Sequence, residues 1–132
     1  MPTSITVIHT DDFIRTTANG LLDLTESRRI LTALVSAVRA SGEIHVLVDV
    51  RAAASVLSRT DLLQIGVALG TQATLLSGRI ALLVPLFHRD DAEFFEAIAR
   101  LHGADVKAFT DFEAAITWLA IREPPAASAI RR

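Results

Sequence analysis

Cysteine is absent from the 132 residues. That excludes disulfides, thiolate catalysis and thiolate metal sites, and it leads us to expect a reducing, cytoplasmic setting. Tyrosine is also absent, tryptophan occurs once, and aromatic residues make up 5% of the chain. With no basic stripe beside so few aromatics, the pattern that reads nucleic acid is missing. Neither sign of charge dominates: the net charge is −2, which gives no general pull toward nucleic acid or an anionic membrane. Long apolar runs are missing too. The longest, Ile80 to Phe87, is interrupted by Pro85 and is far too short to span a bilayer. The first dozen residues lack the basic start and apolar core of a signal peptide. The four histidines, His9, His45, His88 and His102, are scattered without metal-ligand spacing. No GxSxG, GxGxxG or Walker pattern occurs, so the sequence implies no metal and no cofactor.

What is present is core-forming material. Apolar residues make up 51% of the chain, enough for one domain, which we place at 1–122, with 123–132 as a flexible tail after Glu123-Pro124-Pro125. The run from Glu43 to Arg51 is rich in β-branched residues. It reads as a strand buried on both faces, with Asp49 and Arg51 at its exit. Residues 4–10 alternate as a half-exposed strand does, Asp11-Asp12 signals a turn, and Phe13 to Thr17 reads as a second strand ending at an Ala18-Asn19-Gly20 turn. Those two strands are too close for a crossover helix and are expected to pair as an antiparallel hairpin.

Thr25 is the expected cap of a helix with Ile30, Leu31, Leu34, Val35 and Val38 on one face, ending at Ser41-Gly42. Residues 52–57 read as a small-residue connection, and Ser58 with Asp61 reads as the capping box of a second helix. In that helix Gly66 and Gly70 sit four apart, which suits close packing on another element. Arg79 to Pro85 reads as a strand, and Asp90 or Asp91 as the cap of a third helix presenting Phe94, Phe95, Ile98, Ala99 and Leu101. Val106 to Phe109 reads as the last strand, and Asp111 as the cap of a fourth helix. The order is β-β-α-β-α-β-α-β-α: an α/β fold with a mixed, mostly parallel sheet, an N-terminal hairpin and packed helices.

The runs NGLLDLTESRRIL, VLVDVR, GRIALLVP and VKAFTDFEAAITWL resemble the SpoIIAA-like branch of the STAS superfamily, also described as STAS/SEC14-like. The most telling match is Phe109, Asp111, Ala115, Trp118 and Leu119. The resemblance implies a regulatory module acting through protein contact. Founding members are anti-anti-sigma factors, switched by phosphorylation of a Ser at the start of the helix after the central strand, in a D-S-x-G context. Here Val50 to Ala54 follow Asp49 with neither Ser nor Gly. Ser55 and Ser58 come later, and Ser58 is accounted for as a cap.

Two constellations remain as site candidates. A polar rim of Asp49, Arg51, His88 and Arg89 would gather at the carboxyl ends of parallel strands, where such sheets collect ligands. An apolar surface of Val56, Leu57, Leu62 and Leu63 would lie by the second helix, which is apolar on more than one side and must bury the extra face. The favoured reading is a non-enzymatic binding or regulatory module with a protein partner, expected as a homodimer. A carrier or sensor of a small apolar or lipid-like ligand near the second helix comes next, and an enzyme using the polar rim last. A receiver-type phosphoacceptor is contradicted by the second strand where a receiver has a helix.

Overall fold

The computed structural model describes residues 4–9, as backbone, together with 13–41, 45–72 and 78–120. Five strands form one sheet in sequence order: β1 (Ser4–His9), β2 (Ile14–Leu22), β3 (Val46–Ser55), β4 (Arg79–Leu83) and β5 (Asp105–Phe109). β1 runs antiparallel to β2, and β2 to β5 are mutually parallel. The helices α1 (Leu24–Ser41), α2 (Arg59–Thr71) and α3 (Arg89–Leu101) connect the parallel strands, and α4 (Phe112–Ala120) follows β5. Each crossover steps to the next strand in the same direction. One-handed crossovers of that kind put their helices on one face. Accordingly Ile30, Leu34 and Val38 of α1, Leu62, Ile65 and Leu69 of α2, and Phe95 and Ala99 of α3 share a core with Val46, Val48 and Val50 of β3. The opposite face carries a smaller core of Leu47, Ala81 and Leu83 beneath Ala115 and Leu119 of α4.

Several boundaries differ from the sequence reading. β2 does not turn at Ala18-Asn19-Gly20 but runs through it to Leu22. Gly20 takes φ 86 within the strand, a conformation open to glycine, so the turn dipeptide is absorbed into extended structure. The strand after Arg51 does not stop either. β3 continues to Ser55 past an irregularity: Thr17 faces Asp49 but Asn19 faces Ala52, a step of two on β2 against three on β3. Val50 and Ala53 are both buried, with Arg51 and Ala52 exposed between them. This β-bulge breaks the alternation that would have marked residues 52–55 as strand.

The α1 cap is Asp23, not Thr25: the Asp23 carboxylate accepts the Glu26 N–H at 2.9 Å. α3 begins at Arg89 behind a 3₁₀ turn, Leu86–His88, so Asp90 and Asp91 lie inside its first turn instead of capping it. Leu101 is not in the apolar seam but exposed. Two features were read correctly, the Ser58–Asp61 box and the Asp111 cap. The Asp111 carboxylate accepts the Ala114 N–H at 2.9 Å. Gly103 ends α3 at φ 103. The Asp11-Asp12 turn, Gly42 to Ile44, Ser77 and the tail lie outside the described residues.

β5 is an edge strand, and α3 covers its free polar groups. Glu96 accepts the Ala108 N–H at 2.7 Å, and Arg100 Nε donates to the Val106 carbonyl at 2.7 Å. An edge occupied by side chains cannot template pairing with another chain. His45 plays a structural part: its Nδ1 accepts the Arg79 N–H at 3.0 Å.

Candidate functional site

The carboxyl ends of β3 and β4 and the starts of α2 and α3 meet in one rim. β3 delivers Val56 and Leu57 to the start of α2. There Ser58 accepts the Asp61 N–H at 3.1 Å while Asp61 accepts the Ser58 N–H at 3.0 Å. The Ser58 and Asp61 N–H groups are thus satisfied reciprocally, and the cap contributes about 1 kcal/mol. Ser58→Ala is therefore expected to lower unfolding stability by about 1 kcal/mol, read by urea melts at unchanged m-value. Arg59 ties the two helix starts together, pairing with Asp91 at 3.3 Å and lying 4.5 Å over the Phe94 ring.

After β4, Pro85 fixes an extended backbone at φ −63 and the chain tightens into the 3₁₀ turn, closed by the His88 N–H on the Pro85 carbonyl at 3.0 Å. That turn holds two large apolar side chains out in water: Leu86 is 70% exposed and Phe87 81%. Phe87 touches only the neighbouring His88 ring among described aromatic residues, with centroids 4.5 Å apart. Val56 and Leu63 are exposed on the α2 side of the same rim. Two adjacent large apolar residues so fully in water, in a chain this poor in aromatics, are more than a scattered surface leucine.

Behind the rim is a cavity of about 130 Å³ between the sheet and α1, α2 and α3. Leu57, Leu62, Ile65, Leu69, Ile80 and Phe95 line its apolar body, and Ser27, Ser55, His88 and Asp91 stand at the strands' carboxyl end.

The other face of the sheet holds a charge cluster. Asp49, 4% exposed, accepts Arg51 Nε at 3.0 Å, Arg51 Nη2 at 2.9 Å and the Arg51 backbone N–H at 3.1 Å. Arg15 reaches the same carboxylate at 3.4 Å. Both guanidiniums lie over the Phe112 ring of α4, at 5.0 Å for Arg15 and 6.0 Å for Arg51. Burial pushes the Asp49 carboxyl up, but the side-chain and backbone bonds from Arg51, its charge and the bond from Arg15 outweigh this and hold it below the usual carboxylate range. The Arg51 guanidinium is raised above its ordinary value by its bond to Asp49, against burial, with the charges of Asp49 and Asp111 adding to the rise.

The expected four-residue polar rim is therefore not assembled. Asp49 and Arg51 face α4, whereas His88 lines the cavity with Val48 and Val50 on the opposite face. Arg89 pairs instead with Glu93 at 3.2 Å. The apolar set divides as well: Leu57 and Leu62 line the cavity, and Val56 and Leu63 face water. Sequence reasoning missed Arg15, Ser27, Leu86 and Phe87. An Arg on an alternating strand reads as a solvated face, and Leu86-Phe87, which leave the strand after Pro85, end an apolar run with nothing to mark them as exposed. The strand extension fills the gap up to the helix start at Ser58, which was read correctly. The position where the resemblance would put a switch serine is Ser58 and not residues 50–54, although Leu57 and Thr60 still depart from the Asp and Gly of that context.

This topology, with helices on both faces of a five-stranded sheet, is a SpoIIAA-like fold. Solved structures bear this out. A crystal structure of an uncharacterized protein of the DUF3478 family with a SpoIIAA-like fold, from Shewanella loihica, superposes with a TM-score of 0.58 at 21% identity, covering 89% of this chain and 94% of that one. An anti-sigma factor antagonist from Mycobacterium paratuberculosis gives 0.61 at 13% identity, covering 91% and 96%. The anti-sigma factor antagonist SpoIIAA in its unphosphorylated form gives 0.59 at 13% identity, covering 91% and 100%. No family model matches the sequence, and no curated protein matches it. Among the described residues, no helix is long and apolar enough to cross a membrane.

Proposed function

We propose that this chain is a non-enzymatic regulatory module that acts by docking a protein partner on the rim formed by Val56, Leu63, Leu86 and Phe87. The observation that carries the reading is the exposure of Leu86 and Phe87 on a turn pinned between Pro85 and α3. Folding gains little from side chains left in water, whereas a partner that covers them gains their burial. At roughly 25 cal/mol per Å² a phenylalanine alone contributes on the order of 2 kcal/mol. Two of the structural neighbours are named as anti-sigma factor antagonists, proteins whose work is a protein contact, which supports the same reading. The enzyme reading loses its basis because Asp49 and His88 lie on opposite faces of the sheet.

Photo-crosslinking inside cells tests this. A photoreactive amino acid at position 87 is expected to trap one discrete protein, and the same residue at Thr117, exposed on α4, is expected to trap none. A product of twice the chain mass identifies the partner as a second copy, the homodimer. Absence of a product at position 87, or equal products from both positions, contradicts the reading.

A further inference from the structure

We infer that the cavity beneath α2 is a binding site for a small amphiphile: an apolar body of about six carbons carrying one uncharged hydroxyl. Size sets the body. The void is about 130 Å³, and an engineered apolar cavity of about 150 Å³ stays dry when empty and takes up benzene. The distribution of polar groups sets the head. Ser27 from α1, Ser55 from β3, and His88 and Asp91 at the start of α3 all border the carboxyl end of the strands, while the rest of the lining is almost wholly apolar. A ligand therefore enters with one polar end facing the rim, where parallel sheets collect ligands.

Ser27 sharpens the choice. It is only 8% exposed and lines the cavity at this polar end. A serine hydroxyl so placed meets a ligand hydroxyl as donor or acceptor. The charges at the mouth favour a neutral head. Asp91 is already paired with Arg59 at 3.3 Å, and a carboxylate head would approach the Asp91 anion.

Titration of the purified chain with benzyl alcohol and with toluene, followed by amide chemical shifts, tests the assignment. Benzyl alcohol is expected to give saturable shifts centred on Ser27, Leu62, Ile65 and Phe95. Ser27→Ala is expected to weaken benzyl alcohol about tenfold, the equivalent of one hydrogen bond, and to leave toluene binding unchanged. Ala92→Leu fills the void and is expected to abolish both; Ala53→Val is the second filling variant if Ala92→Leu fails to fold. Non-saturable or scattered shifts, or full benzyl alcohol affinity in a folded filling variant, overturn the site. Equal benzyl alcohol affinity in wild type and Ser27→Ala overturns the hydroxyl-bearing class.

Discussion

Replacing Gly70 by alanine is expected to destabilise the protein by about 3 kcal/mol, lowering the melting temperature by roughly 10 °C. Alanine is intrinsically the better helix former by nearly 1 kcal/mol, so on an isolated helix the sign would be the reverse. Packing decides against it. A Cβ at Gly70 would sit 2.2 Å from the His102 Cβ and 2.7 Å from the His102 carbonyl oxygen. That backbone is the closing turn of α3, held by the His102 N–H on the Ile98 and Ala99 carbonyls, both at 3.2 Å. It cannot swing aside as a flexible side chain does, so α2 and α3 must separate and lose contact along their length. Gly66 supplies the internal comparison. A Cβ there meets the Ile98 Cγ2 at 2.7 Å, a side-chain methyl of a half-buried residue. Gly66→Ala should therefore destabilise by clearly less than Gly70→Ala. Calorimetric melts of the two variants check the ranking; equal losses would mean the helix seam is not set by the backbone contact at His102.

Asp49→Asn is expected to cost about 2 kcal/mol at pH 7. Removing one partner of a fully buried pair costs about 3–5 kcal/mol. Here the guanidiniums of Arg15 and Arg51 retain 33% and 41% of their side-chain exposure, so water recovers part of what the carboxylate supplied. The pH dependence follows from the direction of the shift. Asp49 in the folded protein titrates below its ordinary value, so the unfolded chain takes up the proton first as pH falls. The stabilisation is fully present above about pH 5 and is lost as pH drops through the ordinary aspartate value near 4 toward the folded one. The gap between wild type and Asp49→Asn should accordingly narrow below about pH 4. Urea melts across that range read it directly, and a gap independent of pH would show that the Asp49 charge contributes nothing.

The fold was legible because its signals are local and redundant. The β-branched run of β3, the stripe of α1, the capping box at Ser58 and the Gly66/Gly70 pair each named their element correctly, and each rests on short-range chemistry. The misreadings share a different cause. Asn19-Gly20 carries a turn signal that pairing with β3 overrides, and the bulge at Arg51-Ala52 hides four further strand residues by breaking their period. The site was less legible because it is made by juxtaposition. Asp49 and Arg51 were noticed, but alternation along β3 turns them away from His88, a fact of sheet faces that no motif carries. Arg15 meets Asp49 only through the β2–β3 register. Leu86 and Phe87 end an apolar run in the sequence, and the 3₁₀ turn after Pro85 leaves them in water. The cavity is a property of three helices at once, and α2's excess apolar face was its only trace in the sequence.

The central claim is that the rim serves binding and not folding. It is tested most directly by the double variant Leu86→Ser/Phe87→Ser, assayed against the crosslinked partner as purified protein. The account predicts a melting temperature within about 2 °C of wild type, since exposed side chains contribute little to stability. It also predicts a loss of partner affinity of at least about tenfold. Unchanged affinity in the folded double variant would contradict it.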